Sequence, residues 1–308
     1  MPVLSALVLA DRHPPTRFVD TVREAEQAGV RTVWTYDHLS WGGLRTSPWY
    51  AAVPLLAAAA VATTRVRLGT QVATPNYRHP VPFAKEVMTL DQLSGGRFDL
   101  GIGAGVTDGD ALVTGEPPRT TRAQAERFAE WTDLLDELLR NEVVTHEGPT
   151  FSAIEARMAP GCATLPRVPF TVAASGKRAM AVAAEHGQSW VTYGTFPYDI
   201  PAEQWYETLA RQSRNLDDAL AAAGRKPGEV RRIVQLAFSV TWPFESAERY
   251  RDVLGRLDGL GFDEFSVHWP REDGRGMPAT ALDFVVDAHA HDPAGAPVTS
   301  DALGGAAA

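Results

Sequence analysis

Residues 68–105 read LGTQVATPNYRHPVPFAKEVMTLDQLSGGRFDLGIGAG, and this stretch shows the repeating unit from which the chain is built. The apolar run 66–70 predicts a strand, and the spacing of apolar residues over 80–93 predicts a helix. The pair Gly95-Gly96 ends that helix, and the run 98–103 predicts a second buried strand. A strand, a helix and a strand in this order indicate two parallel strands of one sheet.

The same alternation of strand and helix continues through the chain. Further strands are predicted at 3–9, 30–36, 170–174, 189–193, 233–241 and 262–268, and further helices at 15–27, 48–63, 122–140, 178–186, 202–223, 246–260 and 279–290. Eight such units close most naturally into a (β/α)8 TIM barrel of the α/β class, with residues 141–169 as an excursion between strands four and five. We expect residues 1–291 to form this single barrel domain and residues 292–308, rich in Ala, Gly and Pro, to form a disordered tail.

Composition limits the classes of binding partner and the cellular compartment that we expect for this chain. The chain has 308 residues, of which 44% are hydrophobic, and a formal net charge of −9, so the basic footprint of a nucleic-acid-binding protein is absent. Cys162 is the single cysteine, and no signal-like segment opens the chain, so we expect a cytoplasmic protein. No stretch is long and apolar enough to predict a membrane span, and no motif indicates a bound metal.

The loop after the second strand, YDHLSW at 36–41, is the first candidate for chemistry, because function in these barrels gathers after the strands. His38 titrates near neutrality and Asp37 is a neighbouring carboxylate that would orient it, so this pair predicts catalytic proton transfer. The alternative is that Asp37 and His38 only cap the loop or pair with a neighbouring strand.

The loops after the third and fourth strands predict a site for a flat heterocycle. The polar residues Gln71 and Thr74, with Val72 between them, supply groups that hydrogen-bond such a ring. The sequence GIGAG at 101–105 has the wrong spacing and position for a dinucleotide fingerprint. Small residues there, Ala104 and Gly105 in particular, would let a planar cofactor approach the backbone.

The turn Ser175-Gly176-Lys177 leads from the fifth strand into a helix and predicts a site for a cofactor phosphate. The alternative is a plain serine N-cap. Aromatic residues crowd the remaining loops: Tyr193 is assigned to the cofactor, and a substrate pocket is predicted from Trp41, Trp49, Tyr77, Trp242 and Trp269. His268 ends the eighth strand and is expected to be a buried, hydrogen-bonded histidine.

The segment 68–105 closely resembles the central signature of luciferase-like flavin and deazaflavin oxidoreductases. VWTYDHL at 33–39 and VAASGKRAMAVAAEHGQSWVTYG at 172–194 lie where that family has related pieces. The resemblance implies a TIM barrel with a tricyclic ring across its mouth, near His38, Thr74 and Gly105, and a phosphate at Ser175. It also implies a non-proline cis peptide bond, which here falls at Gln71-Val72.

Two cofactors follow from this resemblance, and they imply different reactions. Reduced FMN implies monooxygenation with dioxygen, whereas the deazaflavin coenzyme F-420 implies hydride transfer to or from a small organic substrate. The Asp37-His38 pair resembles the deazaflavin branch, and Ala104 stands where luciferase-type members place an arginine, so the prediction favours F-420. Val106 stands where the sugar-phosphate dehydrogenases of that branch carry a glutamate, which argues against their substrate.

Two readings from other classes remain open at the level of sequence. One is a flavin-binding protein without catalysis, and the other is a barrel that acts on phosphorylated metabolites without a redox cofactor. Besides a small-molecule substrate, the partners expected for the leading reading are a separate reductase that supplies reduced cofactor and a second copy of the chain in a homodimer.

Overall fold

The computed structural model describes residues 1–105, 109–195 and 200–290. The expected disordered tail, 292–308, and Val106 lie outside these described residues. Within them the strands are β1 Val3–Leu7, β2 Thr32–Thr35, β3 Arg67–Thr70, β4 Phe98–Gly103, β5 Val143–Glu147, β6 Ser152–Arg157, β7 Phe170–Ala173, β8 Ser189–Thr192, β9 Arg231–Gln235 and β10 Glu264–His268. The α-helices are α1 Thr16–Gln27, α2 Ala52–Ala62, α3 Pro80–Ser94, α4 Asp110–Val113, α5 Thr121–Arg140, α6 Lys177–His186, α7 Ala202–Ala222, α8 Ala247–Gly259 and α9 Leu282–His289.

Eight of these strands form a closed barrel in the order β1-β10-β9-β8-β7-β4-β3-β2, and every neighbouring pair is parallel. Strands β5 and β6 form a separate antiparallel hairpin inside the excursion between β4 and β7. The (β/α)8 TIM barrel expected from the sequence is therefore confirmed. None of the described helices has the length and apolar character needed to cross a membrane.

Helix α3 shows how local sequence sets the boundaries of an element. Pro80 occupies its first turn, and the His79 side chain accepts a hydrogen bond from the Val81 N–H, which caps the amino end. Gly95 ends the helix with a φ of 62°, in the left-handed region that favours glycine. The helix then runs back along the barrel and returns the chain to the amino end of β4.

Two predicted elements differ most from their bounds in the structure. The strand expected at 233–241 ends at Gln235, and the chain then turns at Ala237 to Val240 and forms a short 3-10 helix at Trp242–Phe244. Apolar residues here line the end of the barrel instead of extending a strand. The helix expected from residue 48 begins at Ala52, because Trp49 Nε1 donates to the His38 carbonyl and the Tyr50 N–H donates to the Ala10 carbonyl.

Polar pairs fill the interior of the barrel towards the amino ends of the strands. Arg67 at the start of β3 makes two hydrogen bonds, of 2.8 and 2.7 Å, to the Asp99 carboxylate on β4. Trp34 Nε1 donates to Glu264 Oε1 at the start of β10, over 3.1 Å. These contacts occupy one end of the barrel, so the opposite, carboxyl end is the place to look for a site.

A second charged cluster fixes the amino end of β7. The Arg167 guanidinium is buried over the Phe170 ring, with Cζ 3.5 Å from the ring centroid, and pairs with Asp136 on α5. His186 at the end of α6 donates from Nε2 to Asp133 over 2.9 Å. Burial by itself disfavours the charged ring, but the hydrogen bonds to Asp133 and Asp136 raise the pKa of His186 to about 9.

Candidate active site

Four of the predicted loops meet at one end of the barrel. His38 follows β2, Gln71 follows β3, Gly105 follows β4 and Ser175 follows β7, and these four strands are neighbours in the closed sheet. Because all eight strands are parallel, the loops after them lie at the same carboxyl end. We call this end the barrel mouth.

His38 is held by a carboxylate that the sequence did not identify. Its Nδ1 lies 2.7 Å from Asp110 Oδ2 at the start of α4, and the other carboxylate oxygen of Asp110 accepts the Leu39 N–H over 2.8 Å. The Asp110 side chain is buried, whereas the His38 side chain is 24% exposed. Since Nδ1 is engaged with the carboxylate, Nε2 is the atom of His38 left for a bound molecule.

Asp37 has a different role from the one expected. Its carboxylate accepts two hydrogen bonds of 2.7 Å from the Arg78 guanidinium, which also pairs with Glu86 at 2.7 Å. The Asp37 side chain is 1% exposed. Asp37 therefore does not orient His38, and the structure supports the alternative in which this carboxylate pairs with a neighbouring loop. Asp37 and His38 are adjacent in sequence, which suggested a contact between their side chains. In the structure the Asp37 carboxylate pairs with Arg78, and the His38 ring pairs with Asp110.

The loop after β3 carries the backbone feature that the family resemblance implied. The Gln71-Val72 peptide bond is cis. Gln71 is 5% exposed, and among the described residues neither its Oε1 nor its Nε2 has a hydrogen-bond partner. It lies two residues after Gly69, which faces the Trp34 ring inside the barrel, so the Gln71 amide is on the interior face at the mouth. An amide that is buried and unpaired in this place can bind both a donor and an acceptor.

The residues after β3 and the GIGAG stretch at 101–105 pack closely against each other. A Cβ on Gly101 would lie 1.8 Å from the Thr70 carbonyl oxygen, and one on Gly103 would lie 2.7 Å from Val72 Cγ2. Gly105 has a φ of 76°, and its Cβ position is 2.5 Å from Asn76 Nδ2. Contacts with the loop after β3 thus already require these glycines, and the expectation that small residues here also let a cofactor approach stays a prediction.

Thr74 and Ala104 are also tied to the protein itself. Thr74 Oγ1 accepts the Asn76 N–H over 3.3 Å, and Asn76 Oδ1 accepts from Gln124 Nε2 over 2.6 Å. Gln124 Nε2 also donates to the Ala104 carbonyl. Helix α5 therefore fastens the loops after β3 and β4 to one another, which gives the mouth a fixed shape on this side.

The Ser175 turn opens directly into α6. Gly176 is the N-cap residue and Lys177 is the first residue of the helix, so the plain serine N-cap is not what the structure shows. Ser175, Gly176, Lys177 and Arg178 are all exposed. The first N–H groups of α6 have no side-chain cap, and two cations stand beside them, which is an arrangement suited to an anion.

Trp41 and Trp49 lie at the mouth in an aromatic group that follows β2. The Trp41 ring centroid is 5.3 Å from that of Tyr36, 6.2 Å from that of Trp49 and 5.3 Å from that of Phe238. These rings pack on a small apolar cluster inside the barrel that includes Leu7, Leu9, Trp34, Val191 and Ile233. Trp41 and Trp49 thus lie at the mouth, and their part in a substrate wall stays a prediction.

Tyr193 and Trp242 line a pocket between the carboxyl ends of β8 and β9. Trp205 on α7 donates from Nε1 to the Tyr193 carbonyl over 3.0 Å, and its ring centroid is 6.1 Å from that of Trp242. The other lining residues are Thr195, Ile200, Leu236, Ala237 and Val240. This places Tyr193 against the predicted substrate residue Trp242.

Tyr77 and Trp269 sit in packed surroundings instead. The Arg78 guanidinium carbon lies 5.0 Å from the Tyr77 ring centroid, and burial together with the nearby Asp37 charge raises the pKa of Tyr77. Trp269 is 3% exposed and belongs to the main hydrophobic core. Both were predicted in the substrate pocket, and the structure assigns them to the ion-pair cluster and to the core, respectively.

His268 is buried, as expected, and takes part in a short hydrogen-bond chain. Gln235 Nε2 donates to the Tyr36 hydroxyl over 2.7 Å, and that hydroxyl lies 3.1 Å from His268 Nε2. His268 Nδ1 has no hydrogen-bond partner within the part of the chain that the structure describes, so one of its two ring nitrogens is unpaired there. Burial, with the nearby charge of Arg271, lowers the pKa of His268 to about 3, so its ring is neutral at physiological pH.

Sequence reasoning did not single out Asp110, Arg78 and Trp205. Asp110 is 72 residues away from His38 along the chain, and the two residues meet because β2 and β4 both flank β3 in the folded sheet. Arg78 lay within the polar loop that was noticed, and its pairing with Asp37 depends on β2 and β3 lying side by side in the sheet. Trp205 could have been identified from the sequence, because an aromatic residue early in α7 faces the loop after β8.

Comparisons with known proteins agree with this architecture. The family model described as luciferase-like monooxygenase matches residues 3–298. The chain is 30% identical over 279 residues to an F420-dependent glucose-6-phosphate dehydrogenase from Kineococcus radiotolerans, an alignment that covers 86% of this chain and 76% of that enzyme. The chain therefore belongs to the luciferase-like monooxygenase family, whose members named here are oxidoreductases.

Two further similarities show the breadth of the family. The chain is 32% identical over 206 residues to 4-hydroxyprotoasukamycin monooxygenase from Streptomyces nodosus subsp. asukaensis, and the alignment covers 63% of this chain but only 53% of that relative. The structure superposes on an F420-dependent secondary alcohol dehydrogenase, solved with an F420-acetone adduct, with a TM-score of 0.77. That match covers 94% of this chain and 98% of the other at 18% identity, so it supports the fold alone.

Proposed function

We propose that this chain is an oxidoreductase that uses coenzyme F-420 and transfers a hydride to or from a small organic substrate at the barrel mouth. The observation that carries the proposal is the His38-Asp110 pair, which lies at the mouth together with the exposed cations of the Ser175 turn. Several relatives named F420-dependent dehydrogenases support the choice of cofactor.

The residues at the mouth fit a flat, anionic cofactor on two observations. The Gln71 amide is buried and unpaired, as expected of a group that binds the polar edge of a heterocycle. The uncapped start of α6, with Lys177 and Arg178 exposed beside it, suits a phosphate. In the proposed site Gln71, Val72, Thr74, Ala104, Gly105 and Tyr193 hold the ring, and Ser175, Gly176 and Lys177 hold the phosphate.

When bound, the deazaflavin supplies or accepts the hydride. The protein's part is to move the accompanying proton. Asp110 fixes the His38 ring through Nδ1, so Nε2 gives a proton to the substrate oxygen during reduction, or takes one from it during oxidation. The aromatic walls at Trp41, Trp49 and Trp242 exclude water from the bound substrate.

A reduction assay tests this proposal. The purified chain with reduced coenzyme F-420 should oxidise the cofactor when a carbonyl substrate is added under nitrogen, and no oxygen should be consumed in air. Reduced FMN should support neither change. If the chain binds neither cofactor at about micromolar concentration, the typical range for a dedicated site, the proposed function is wrong.

A second candidate function is an FMN-dependent monooxygenase. The similarity to 4-hydroxyprotoasukamycin monooxygenase favours it, and it would use the same mouth and the same phosphate turn. This candidate requires a separate reductase that supplies reduced FMN, and a homodimer is the proposed assembly in either case. Oxygen uptake that depends on reduced FMN would select it, and binding of a cofactor with no turnover of any substrate would select the non-catalytic alternative.

A further inference from the structure

Three hydroxyl groups lie side by side on the inner face of the barrel, below the mouth. Ser5 on β1 pairs in register with Thr32 on β2 and with Ser266 on β10, so the three residues form one row across adjacent strands. Ser5 and Thr32 stand two residues before Leu7 and Trp34, which belong to the apolar cluster inside the barrel, so they point to the same inner face. All three residues of the row are 0% exposed.

The hydroxyl groups of this row lack hydrogen bonds. Within residues 1–105, 109–195 and 200–290, Ser5 Oγ, Thr32 Oγ1 and Ser266 Oγ bond neither to one another nor to any other group. Side chains that stand upright on adjacent strands are about 4.8 Å apart, which exceeds the length of a hydrogen bond. One molecule with a bond of about 2.8 Å to each hydroxyl spans that gap. The row therefore has the spacing of a bridged contact.

A carboxylate oxygen on β10 belongs to the same polar group. Glu264 stands two residues before Ser266 and shares its inner face. Glu264 Oε1 accepts a hydrogen bond from Trp34 Nε1 over 3.1 Å. Glu264 Oε2 is buried without a hydrogen bond to any described residue, and the nearest guanidinium nitrogen of Arg231 is 3.4 Å away. Because the arginine balances the carboxylate charge, this place does not favour a metal cation.

These four oxygen atoms need partners that the described side chains do not supply. Each buried polar atom without a hydrogen bond destabilises a fold, and four of them together would cancel a large part of the stability of a typical domain. Buried water solves this problem in many proteins, because each molecule makes about three hydrogen bonds to such groups. Water both donates and accepts, which matches hydroxyl groups that do both and a carboxylate that only accepts.

We propose that the three hydroxyl groups, with Glu264 Oε2 beside them, form a binding site for one or two buried water molecules that join β2, β1 and β10. The same strands carry Tyr36 and His268, whose polar atoms lie 3.1 Å apart inside the barrel at the mouth. The water therefore holds in place the strands on which the mouth is built. It binds without a cofactor, so the site is independent of the proposed function.

Strand β2 offers a matched pair of positions for a test. Thr32 and Thr35 are both 0% exposed, and in the described parts of the chain neither hydroxyl has a hydrogen bond. They are three residues apart, so Thr35 points to the opposite, outer face of the sheet. Its register partner is Thr70, whose hydroxyl already donates to the Gly101 carbonyl. Valine at either position removes the hydroxyl group and keeps the branched shape of the side chain.

Urea unfolding of the full chain and of the two valine variants measures the effect. Thr32→Val should raise the equilibrium constant of unfolding about tenfold, because the bound water loses a partner and meets a methyl group instead. Thr35→Val should leave that constant unchanged or lower it, because it removes only an unpaired buried hydroxyl. If Thr32→Val is as stable as Thr35→Val, or more stable, the row is dry and the proposal is wrong.

A crystal structure of the full chain, at a resolution that orders internal water, is the second measurement. We expect a water molecule about 2.7 to 3.2 Å from Ser5 Oγ that also bonds to Thr32 Oγ1 or Ser266 Oγ. Hydroxyl groups that bond directly to one another, with no density between them, would overturn the proposal.

A change of salt separates water from a monovalent cation in the same site. Replacement of sodium and potassium by choline at constant ionic strength should leave the unfolding of the wild type unchanged. A specific loss of stability that sodium or potassium restores would show that a cation occupies the site, and the proposal of water would then be overturned.

Discussion

His38 Nδ1 and Asp110 Oδ2 lie 2.7 Å apart and connect the loop after β2 to helix α4 after β4. The contact fixes both the orientation and the tautomer of the imidazole, as buried carboxylates do for histidines in other active sites. In the proposed function, Asp110 therefore positions His38 for proton transfer at the mouth.

Asp110→Asn is expected to reduce kcat with little change in KM, because the amide cannot stabilise the protonated ring and favours the wrong tautomer. The loss should be no larger than about 100- to 10,000-fold, the range that general acid-base catalysis itself contributes. The pH profile of kcat should shift as well, which a merely structural role would not produce. Glu126→Gln on the exposed face of α5 is the control. An unchanged pH profile would remove Asp110 from the mechanism.

His38→Ala should lower turnover by about 100-fold or more while cofactor binding and the unfolding transition stay as in the wild type. The reason is that Nε2 is the one proton-transfer atom that the dyad leaves for the substrate. Steady-state kinetics, with a cofactor titration alongside, measure both quantities. Wild-type turnover in this variant would show that another group moves the proton.

Asp37→Asn should affect stability more than chemistry. The substitution leaves the Arg78 guanidinium buried beside a neutral partner, and breaking such a pair costs about 3 to 5 kcal/mol of unfolding free energy. Urea denaturation of the variant, compared with Glu86→Gln at the exposed side of the same arginine, measures this cost. A large loss of kcat with wild-type stability would restore Asp37 to the catalytic role that the sequence suggested.

Gly101→Ala should destabilise the barrel by more than about 2 kcal/mol, since the added methyl group would overlap the Thr70 carbonyl. Gly255→Ala in α8 is the matched control, because a Cβ there meets nothing within 4 Å and alanine favours a helix. Thermal unfolding of the two variants should therefore move in opposite directions. Equal melting temperatures would show that β3 and β4 are not as closely packed as described.

The His186 cluster predicts a pH-dependent stability. Its folded pKa, about 9, lies above the ordinary value of 6.5, so the charged ring stabilises the fold fully below pH 6.5. That stabilisation is at most about 3 kcal/mol, and less because water screens the partly exposed ion pairs, and it is lost as the pH rises from 6.5 through 9. Denaturation of the wild type and of His186→Gln across this range measures it. A variant with the same pH dependence as the wild type would contradict the assignment.

The architecture was predictable because its signals are local. The strand at Phe98–Gly103 and the helix ending before Gly95 follow from apolar spacing and glycine placement, and eight such units leave few ways to close a sheet. Strand β9 was overextended because residues 236–240 are as apolar as a strand, although they line the mouth after the sheet pairing ends. Propensity does not reveal where pairing stops.

The site was predictable only to the level of its loops. Asp37 was chosen because it adjoins His38 in sequence, yet the partner of His38 is Asp110, which follows β4, two strands away in the sheet. Trp269 resembled the other mouth aromatics and lies in the core. Pairings between loops that are distant in sequence depend on which strands are neighbours in the folded sheet. A single sequence contains no direct signal for them.

The central claim is that the mouth holds coenzyme F-420 with its phosphate at the Ser175 turn, and titration of the cofactor into charge variants tests it most directly. Lys177→Gln should weaken F-420 binding about tenfold, with a smaller dependence on salt, because one phosphate contact is lost. Lys226→Gln, at an exposed lysine after α7, should bind like the wild type. Equal affinity in the wild type and both variants would contradict the account.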